Sequence, residues 1–310
     1  MNAEPAATAD DRAAFAPCEV CGASKWTQRY TGPVRDGAFG NLTGDTVVSR
    51  CGGCGVDRLA ETSCRGEDFY AGPEYWQSVA GTDTSGFSNS HEMFADATLY
   101  ATWSERVSGA TVAEIGCGAG GFLDQLTGRP TAPKAIVAIE PAQALQPSLA
   151  ARGYAVFPFA ADAKAYLGRV DIAFCFNVIE HVPDPRALLA DTAALLAPKG
   201  CVLVSTPNRD DAMMELAPDY PRFFYRAAHR WYFDGKALGK CAAAAGLRVG
   251  AVLYVQRYGL ANAFTWVREG RPSGFTPLPA LHDPALDAAW RRSLELRGLA
   301  DRLYAVLVKA

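Results

Sequence analysis

The stretch Thr111-Val-Ala-Glu-Ile-Gly-Cys-Gly-Ala-Gly-Gly121 decides the fold that we expect of this chain. Its first part, Thr111 to Ile115, contains β-branched residues typical of a buried strand, and glycines follow at once. A helical stretch, Phe122 to Leu126, comes next. Strand, glycine-rich turn and helix are the parts of a nucleotide-binding crossover, in which glycine lets the backbone approach a ligand closely.

An acidic residue inside this strand adds to what the glycines indicate. Glu114 lies two residues before the first glycine, where an ionised carboxylate could hold an ammonium group such as that of S-adenosylmethionine (SAM). A tight turn without a ligand is the alternative, since the glycines do not follow the usual G-x-G-x-x-G setting. With the acid included, the segment 114–120 resembles motif I of class I SAM-dependent methyltransferases. The resemblance implies cofactor contacts by Glu114, Gly116, Cys117, Gly118 and Gly120.

Two further acids follow predicted strands of the same sheet. The strand Ala135 to Ile139 ends at Glu140, whose carboxylate is placed to accept hydrogen bonds from ribose hydroxyls. The strand Tyr154 to Phe159 precedes Asp162. In the family that the motif resembles, an acid at this position receives the adenine amino group. A helix N-cap is the alternative role for Asp162, and the two roles are compatible.

The segment Val170 to Pro185 is the most specific stretch of the chain. Its apolar strand runs into Asn177 and then Glu180-His181, before prolines open a new helix. Polar groups just past the carboxyl end of a parallel strand face the ligand crevice. The segment resembles motif IV of the same methyltransferases, which implies that Asn177 and His181 line the cofactor.

Strands alternate with helical segments from residue 111 onward, which is typical of a parallel sheet covered on both faces. The resemblance implies an α/β, Rossmann-like fold with a seven-stranded, mostly parallel sheet whose last pair is antiparallel. The remaining expected elements are strands at 200–205, 249–255 and 303–308 and helices at 185–196, 235–245 and 284–297.

Four of the nine cysteines form two C-x-x-C pairs, each followed by glycine. The pairs are Cys18 with Cys21 and Cys51 with Cys54. Two such knuckles supply four sulfurs for a tetrahedral Zn²⁺ site, and strands are predicted between them at 26–30 and 46–49. The pattern predicts a zinc ribbon, although four thiolates could also hold iron. Because a closed four-cysteine site leaves no open position for catalysis, we expect a structural metal.

We expect four segments along the chain. The linker between ribbon and sheet is rich in aromatic residues, and its second half is expected to form an amphipathic helix over 91–107. Tyr70 and Tyr75 would roof the cofactor pocket if the resemblance extends to the N-terminal region of bacterial sugar methyltransferases; ordinary interdomain packing is the alternative. The expected segments are a disordered N-terminus (1–16), the ribbon (17–63), the linker and covering helix (64–108) and the methyltransferase domain (109–310).

Two insertions, 209–233 and 256–300, interrupt the predicted sheet domain at strand ends where specificity is usually built. Together with the ribbon they are similar to methyltransferases of sugar-nucleotide, surface-glycan or natural-product pathways. The expected acceptor is a sugar or sugar nucleotide, and an aromatic or other natural-product hydroxyl is the alternative. Aromatic side chains stack on both kinds of acceptor and do not choose between them.

A hydroxyl acceptor must lose a proton near the moment of methyl transfer, and imidazole suits this role near neutral pH. His229, in the first insertion, is our candidate base, with a packed histidine as the alternative. His181 is expected to line the cofactor first and to act in catalysis second. Tyr232 is a third candidate, followed by Tyr225 and Glu180. An N-methyltransferase would need no base.

The formal net charge of −3 argues against a nucleic-acid partner, which would need a basic face. The N-terminus does not have the pattern of a signal peptide, and no apolar stretch reaches membrane-spanning length. We therefore expect a cytoplasmic protein that binds a small-molecule substrate, without a membrane partner, as a monomer or homodimer.

Two other classes of protein stay open. A nicotinamide-dependent oxidoreductase on the same sheet would have a stricter G-x-G-x-x-G and no acid inside the first strand. A zinc-ribbon interaction protein with an inactive methyltransferase fold would not bind SAM. The acids and the amide at 114, 140, 162 and 177 count against the second class.

Overall fold

The computed structural model describes most of the chain in two compact units. The ribbon unit comprises Met1–Arg65, Thr206–Cys241 and Val252–Tyr304, and the sheet unit comprises Gly66–Ser205, Ala242–Ala251 and Ala305–Ala310. The described residues are 15–37, 40–72, 103, 105–127, 131–273, 278–281 and 283–310.

Strands and helices alternate along the second half of the chain. The strands are β1 (Trp26–Arg35), β2 (Leu42–Cys51), β3 (Asp57–Leu59), β4 (Thr111–Ile115), β5 (Ala135–Ile139), β6 (Ala155–Phe157), β7 (Val170–Phe176), β8 (Leu196–Pro207), β9 (Trp231–Tyr232), β10 (Leu247–Val255) and β11 (Arg302–Lys309). The α-helices include α1 (Glu67–Ala71), α2 (Gly121–Thr127), α3 (Gln146–Ala151), α4 (Pro185–Leu195), α5 (Met213–Leu216), α6 (Tyr220–Phe224), α7 (Gly235–Ala244), α8 (Leu260–Glu269) and α9 (Pro284–Arg297).

The larger sheet has seven strands in the order β10-β11-β8-β7-β4-β5-β6. The pairs β4/β5, β4/β7, β5/β6 and β7/β8 are parallel, which confirms the predicted mostly parallel sheet. The chain order runs outward in opposite directions from β4 and β7. In open α/β sheets, ligands bind at the carboxyl ends of the strands that flank such a reversal.

Apolar residues explain why β4 and β7 occupy the centre. Every residue of β4 is buried, and so is every residue of β7 except Asp171. Phe174 on β7 packs edge-on against Phe122 of α2, with ring centroids 4.8 Å apart, and lies 6.4 Å from Trp103. Strands buried on both faces read as continuous apolar runs, so their positions could be predicted from sequence.

The smaller sheet is antiparallel, in the order β1-β2-β3-β9. The first two strands are longer than predicted, since the register runs from Trp26 opposite Cys51 to Arg35 opposite Leu42. The fourth strand, β9, comes from the first predicted insertion and was not predicted at all. It pairs with β3 through Asp57 opposite Tyr232. The insertion and the ribbon therefore share one sheet within the ribbon unit.

The aromatic residues of the insertions form much of the apolar core of the ribbon unit. This core includes Val34, Val48, Leu59, Tyr220, Phe224, Tyr225, Tyr232 and Trp266. Aromatic side chains in the insertions could stack on an acceptor. Most of them are instead buried and pack against one another.

Several predictions concern residues outside the described part of the chain. These are most of the disordered N-terminus, most of the helix 91–107, and Tyr75. The bounds of the four predicted segments stay a prediction, while the compact units group the ribbon with both insertions. Among the described residues, no helix is both long and apolar enough to cross a membrane.

A buried arginine ties the segments of the ribbon unit together. Arg209, 6% exposed, follows β8 and forms ion pairs with Asp234 before α7 and, at 3.7 Å, with Asp57 on β3. It also donates a hydrogen bond to the carbonyl of Gly55. A buried charge contributes to stability only while its partners remain, because an unpaired partner keeps its desolvation cost.

We expect Arg209→Met to lower the free energy of unfolding by about 3 kcal/mol, because the substitution leaves Asp234 and Asp57 with fewer partners. Urea denaturation followed by circular dichroism measures the change. The matched control is Arg268→Met, because that arginine is 64% exposed and pairs only at the surface; its effect should stay within about 0.5 kcal/mol. Equal effects of the two substitutions would contradict the structural role of Arg209.

Candidate cofactor site and metal centre

The glycine-rich turn after β4 depends on glycine for packing. Gly116 and Gly120 have φ angles of 70° and 79°, a region that residues with a Cβ rarely adopt. A Cβ on Gly116 would lie 2.5 Å from Val178 Cγ2, and one on Gly120 would lie 2.6 Å from Leu149 Cδ2. Substitution at either position would therefore push the turn away from α3 or from the end of β7.

Glu140 joins the end of β5 to this turn. Its carboxylate accepts a hydrogen bond from the amide of Gly118 at 2.7 Å and another from the amide of Ala142 at 2.8 Å. Glu140 is only 3% exposed. Burial raises the pKa of Glu140, and the two amides counteract part of this rise. Each oxygen keeps a lone pair with which it can accept a further hydrogen bond.

Glu114 is buried at the centre of β4, in register with Ala138 on β5 and Phe174 on β7. The residue is 2% exposed, and its Oε2 has no hydrogen-bond partner among the described residues. Burial raises the pKa of Glu114 well above its ordinary value, and the charges of Glu140 and Asp124 raise it further. A buried carboxylate without a partner is costly, so this position fits a ligand that brings a positive charge.

Three polar side chains hold the turn and were missed by the sequence analysis. Arg152 donates a hydrogen bond to the carbonyl of Ala119 at 2.6 Å and forms an ion pair with Asp124 at 2.5 Å. The hydroxyl of Tyr154 donates to the same carboxylate at 2.7 Å. Asp124 in the first turn of the helix after the glycines was a weak signal for this arrangement, because its partners follow only after the next strand.

The end of β7 carries the predicted Asn177 and His181. Asn177 adopts a left-handed backbone conformation with φ of 54°, and its amide donates to the carbonyl of Ser205 at 3.0 Å. The hydroxyl of Ser205 is buried without a partner among the described residues. The imidazole of His181 lies edge-on to the ring of Tyr70, with centroids 5.3 Å apart. Tyr70 therefore lies against a residue that was predicted to line the cofactor.

Asp162 stands apart from the buried acids. It is the last residue of a short 3₁₀ helix, Ala160–Asp162, just after β6, and it is exposed. The next 3₁₀ helix, Lys164–Tyr166, begins after Ala163 and has no side-chain cap. The alternative role of Asp162 as an N-cap is thus not seen. Its carboxylate is open to solvent at the edge of the sheet unit.

The remaining catalytic candidates, His229 and Tyr232, belong to the ribbon unit. His229 is 4% exposed, and its Nε2 lies 3.5 Å from Nη1 of Arg226. The hydroxyl of Tyr232 accepts a hydrogen bond from the amide of Arg226 at 2.8 Å and lies 3.1 Å from its carbonyl, to which it donates. Burial raises the pKa of Tyr232 well above its usual range. These contacts favour a positioning role for Tyr232 over proton transfer.

The four predicted metal ligands lie together at one end of the ribbon unit. The sulfurs of Cys18 and Cys54 are 3.6 Å apart, those of Cys21 and Cys51 are 3.5 Å apart, and all four lie within 4.8 Å of one another. Tetrahedral zinc with bonds of about 2.3 Å requires sulfur separations of about 3.8 Å. The contact with Cys54, followed by burial, raises the pKa of the Cys18 thiol. A divalent cation would offset this effect, and the donor set fits zinc.

We expect Glu114→Gln to leave the ligand-free protein at least as stable as the original at neutral pH. Because the folded carboxyl group keeps its proton above pH 4.5, where the unfolded one releases it, the free energy of unfolding falls as pH rises through this range. The neutral amide removes that loss. Urea denaturation over a series of pH values measures it, with the exposed Glu105→Gln as control. A variant that is less stable at neutral pH would indicate that Glu114 already has a cationic partner.

Comparison with known proteins identifies the family. The sequence profile of the family described as "Methyltransferase domain" matches residues 89–252, which is more than half of the chain. The ubiquinone biosynthesis O-methyltransferase of Albidiferax ferrireducens is 33% identical over 120 residues, 36% of this chain and 46% of that protein. That of Xanthomonas campestris is 35% identical over 119 residues, 35% of this chain and 48% of that protein. The chain thus matches about half the length of these relatives.

Solved structures give weaker likenesses. The plantazolicin methyltransferase BamL, in complex with a triazolic desmethylPZN analogue and SAH, has a TM-score of 0.48 and 16% identity, over 78% of this chain and 93% of that one. A SAM-dependent methyltransferase from Archaeoglobus fulgidus has a TM-score of 0.47 and 13% identity, over 76% of this chain and 98% of that one. At these scores the likeness adds nothing to the family profile. On that profile, which spans β4 to β8 and the site residues among them, the chain belongs to the methyltransferase domain family.

Proposed function

We propose that the protein transfers the methyl group of SAM to a small-molecule acceptor. The observation that carries the proposal is the buried, unpartnered carboxyl oxygen of Glu114 at the sheet reversal, beside the glycine-rich turn. A cationic ligand at that point would favour the ionised form of the carboxyl group, which burial disfavours. The family profile covers the same residues.

Each site residue has a separate role in this proposal. Glu114 binds the ammonium group of the cofactor, and Glu140 accepts hydrogen bonds from its ribose while keeping the glycine-rich turn in place. Asp162 receives the adenine amino group. Asn177 and His181 line the cofactor, and Tyr70 packs against His181.

When bound, SAM supplies an electrophilic methyl group on a sulfonium. The protein must then align the acceptor, exclude water and, for a hydroxyl acceptor, take up its proton. We propose His229 as the base, because imidazole is a base of suitable strength near neutral pH.

A sugar or sugar nucleotide remains the proposed acceptor. Its support is the combination of a ribbon with two insertions, which is similar to methyltransferases of glycan and natural-product pathways. A second candidate is the hydroxyl of another natural product, favoured by the names of the relatives, which are O-methyltransferases of ubiquinone biosynthesis. Where the methyl group goes to a hydroxyl oxygen, both candidates need the same base.

We also propose that Cys18, Cys21, Cys51 and Cys54 hold a structural Zn²⁺. Four sulfurs close the coordination shell, so the metal would stabilise the ribbon and take no part in methyl transfer. Iron is the alternative metal for the same ligands. A thiolate site of this kind suits a reducing compartment such as the cytoplasm.

We expect the protein to bind SAM and to release S-adenosylhomocysteine when a suitable acceptor is added. Glu140→Ala and Asp162→Ala should weaken SAM binding about tenfold or more, because each removes a charged hydrogen-bond acceptor. Calorimetric titration measures the affinity. Asp162→Ala is the cleaner variant since its carboxylate is exposed, and exposed Asp191→Ala on α4 is the control. If the original protein does not bind SAM, the proposed function is wrong.

We expect one metal ion per chain by elemental analysis, and Cys51→Ser should release it and lower the melting temperature. The reason is that three thiolates no longer close a tetrahedral shell. Cys64→Ser is the matched control, because the Cys64 sulfur contacts the carbonyls of Leu59 and Ala60 and does not belong to the group of four sulfurs. The analysis also distinguishes zinc from iron. A metal-free native protein would refute the proposal.

A further inference from the structure

Two arginines meet where β1 ends. Arg35 forms a parallel β-bridge with Arg226, since its amide donates to the carbonyl of Tyr225 at 3.0 Å and its carbonyl accepts from the amide of Ala227 at 2.9 Å. Paired strands lie about 4.8 Å apart, so the two side chains start from neighbouring positions. Both residues are half-buried, and both belong to the ribbon unit.

No acid balances these two charges. Among the described residues, no carboxylate lies within ion-pair distance of Arg35 or Arg226, and the Nε atom of each is buried without a hydrogen-bond partner. Several acids of the ribbon unit pair with other arginines. These pairs are Asp36 with Arg65, Glu61 with Arg58 and Arg230, and Asp57 with Arg50 and Arg209.

The surroundings compensate the charge of Arg35 only in part. Its guanidinium lies over the ring of Phe223, 4.1 Å from the centroid, which is a favourable cation–π contact. Burial, followed by the charge of Arg226, lowers the pKa of Arg35 to about 9. The group therefore stays charged at neutral pH. Two neighbouring guanidinium groups, one of them over an aromatic ring, form a suitable binding site for an anion.

The backbone of Arg226 is fixed by its neighbours. Its amide and carbonyl both bond to the hydroxyl of Tyr232, and its carbonyl also accepts from the amide of His229 at 2.9 Å. Its guanidinium reaches to 3.5 Å from the His229 ring nitrogen. The pair of arginines and the candidate base thus belong to one cluster of contacting residues.

We propose that Arg35 and Arg226 bind the oxyanion of the acceptor, a phosphate or a carboxylate group, beside His229. The inference rests on the proposed methyl transfer and narrows its acceptor to an acidic small molecule. Guanidinium groups match both oxyanions because they donate two parallel hydrogen bonds. In this arrangement Tyr232 is a positioning residue, since it acts through the backbone of Arg226.

The test is the thermal stability of the full-length protein titrated with sodium phosphate or with sodium acetate, at an ionic strength held constant with sodium chloride. We expect one or both anions to raise the melting temperature, and the more effective one identifies the group. Arg35→Gln and Arg226→Gln should each weaken this response about tenfold or more. Arg226→Lys keeps the charge but loses the paired donors, so its response to the anion should lie between those of the original protein and of Arg226→Gln. The lysine variant replaces a glutamine variant in the test if that variant does not fold.

The matched control is Arg222→Gln on α6, because that arginine is 45% exposed and pairs with Asp219. Its response should equal that of the original protein. The inference is overturned if neither anion stabilises the original protein, or if both glutamine variants respond as it does. SAM affinity, measured on the same samples, should not change in any variant. Absence of SAM binding by the original protein would refute the proposed function alone, because the anion response is read separately.

Discussion

The arrangement of the glycine-rich turn after β4 depends on the carboxylate of Glu140. This carboxylate accepts hydrogen bonds from an amide of that turn and from an amide of the segment after β5. It therefore connects the ends of two parallel strands that no hairpin joins. No tight turn joins two parallel strands, because the chain between them passes through a crossover segment, so the carboxylate adds a contact between their ends. Arg152 completes the arrangement from α3, by holding the carbonyl of Ala119 and the carboxylate of Asp124.

The two units carry opposite electrostatic imbalances. The sheet unit buries Glu114 beside Glu140, with no cation among the described residues that pairs with Glu114. The ribbon unit places Arg35 beside Arg226, and no carboxylate among the described residues pairs with either. Each imbalance costs stability in the free protein, and a ligand of the opposite charge removes the cost. Under our two proposals, the cofactor supplies a positive group for the first, and an acidic acceptor supplies a negative group for the second.

The sequence predicts the features that depend on neighbouring residues and misses those that depend on contacts between distant parts of the chain. β4 and β7 were predicted because their apolar residues are consecutive, and Glu114 and Glu140 were selected because one lies in a predicted strand and the other directly follows one. The four cysteines were predicted from spacing alone. In contrast, β9 is two residues long and pairs with β3 across most of the chain, and no local pattern marks it. The arginine pair is equally remote, since its members lie in β1 and in the first insertion.

The register of β1 connects the metal centre with the arginine pair. The strand begins opposite Cys51, a proposed metal ligand, and ends at Arg35, about 30 Å away for ten extended residues. Lys240 holds the knuckle itself, through the carbonyl of Gly53 at 2.9 Å. A metal that fixes the knuckles therefore also fixes the start of the strand whose end carries Arg35. Under our proposals, a metal that takes no part in the reaction would still influence acceptor binding, because a loosened strand would no longer hold Arg35 in register with Arg226.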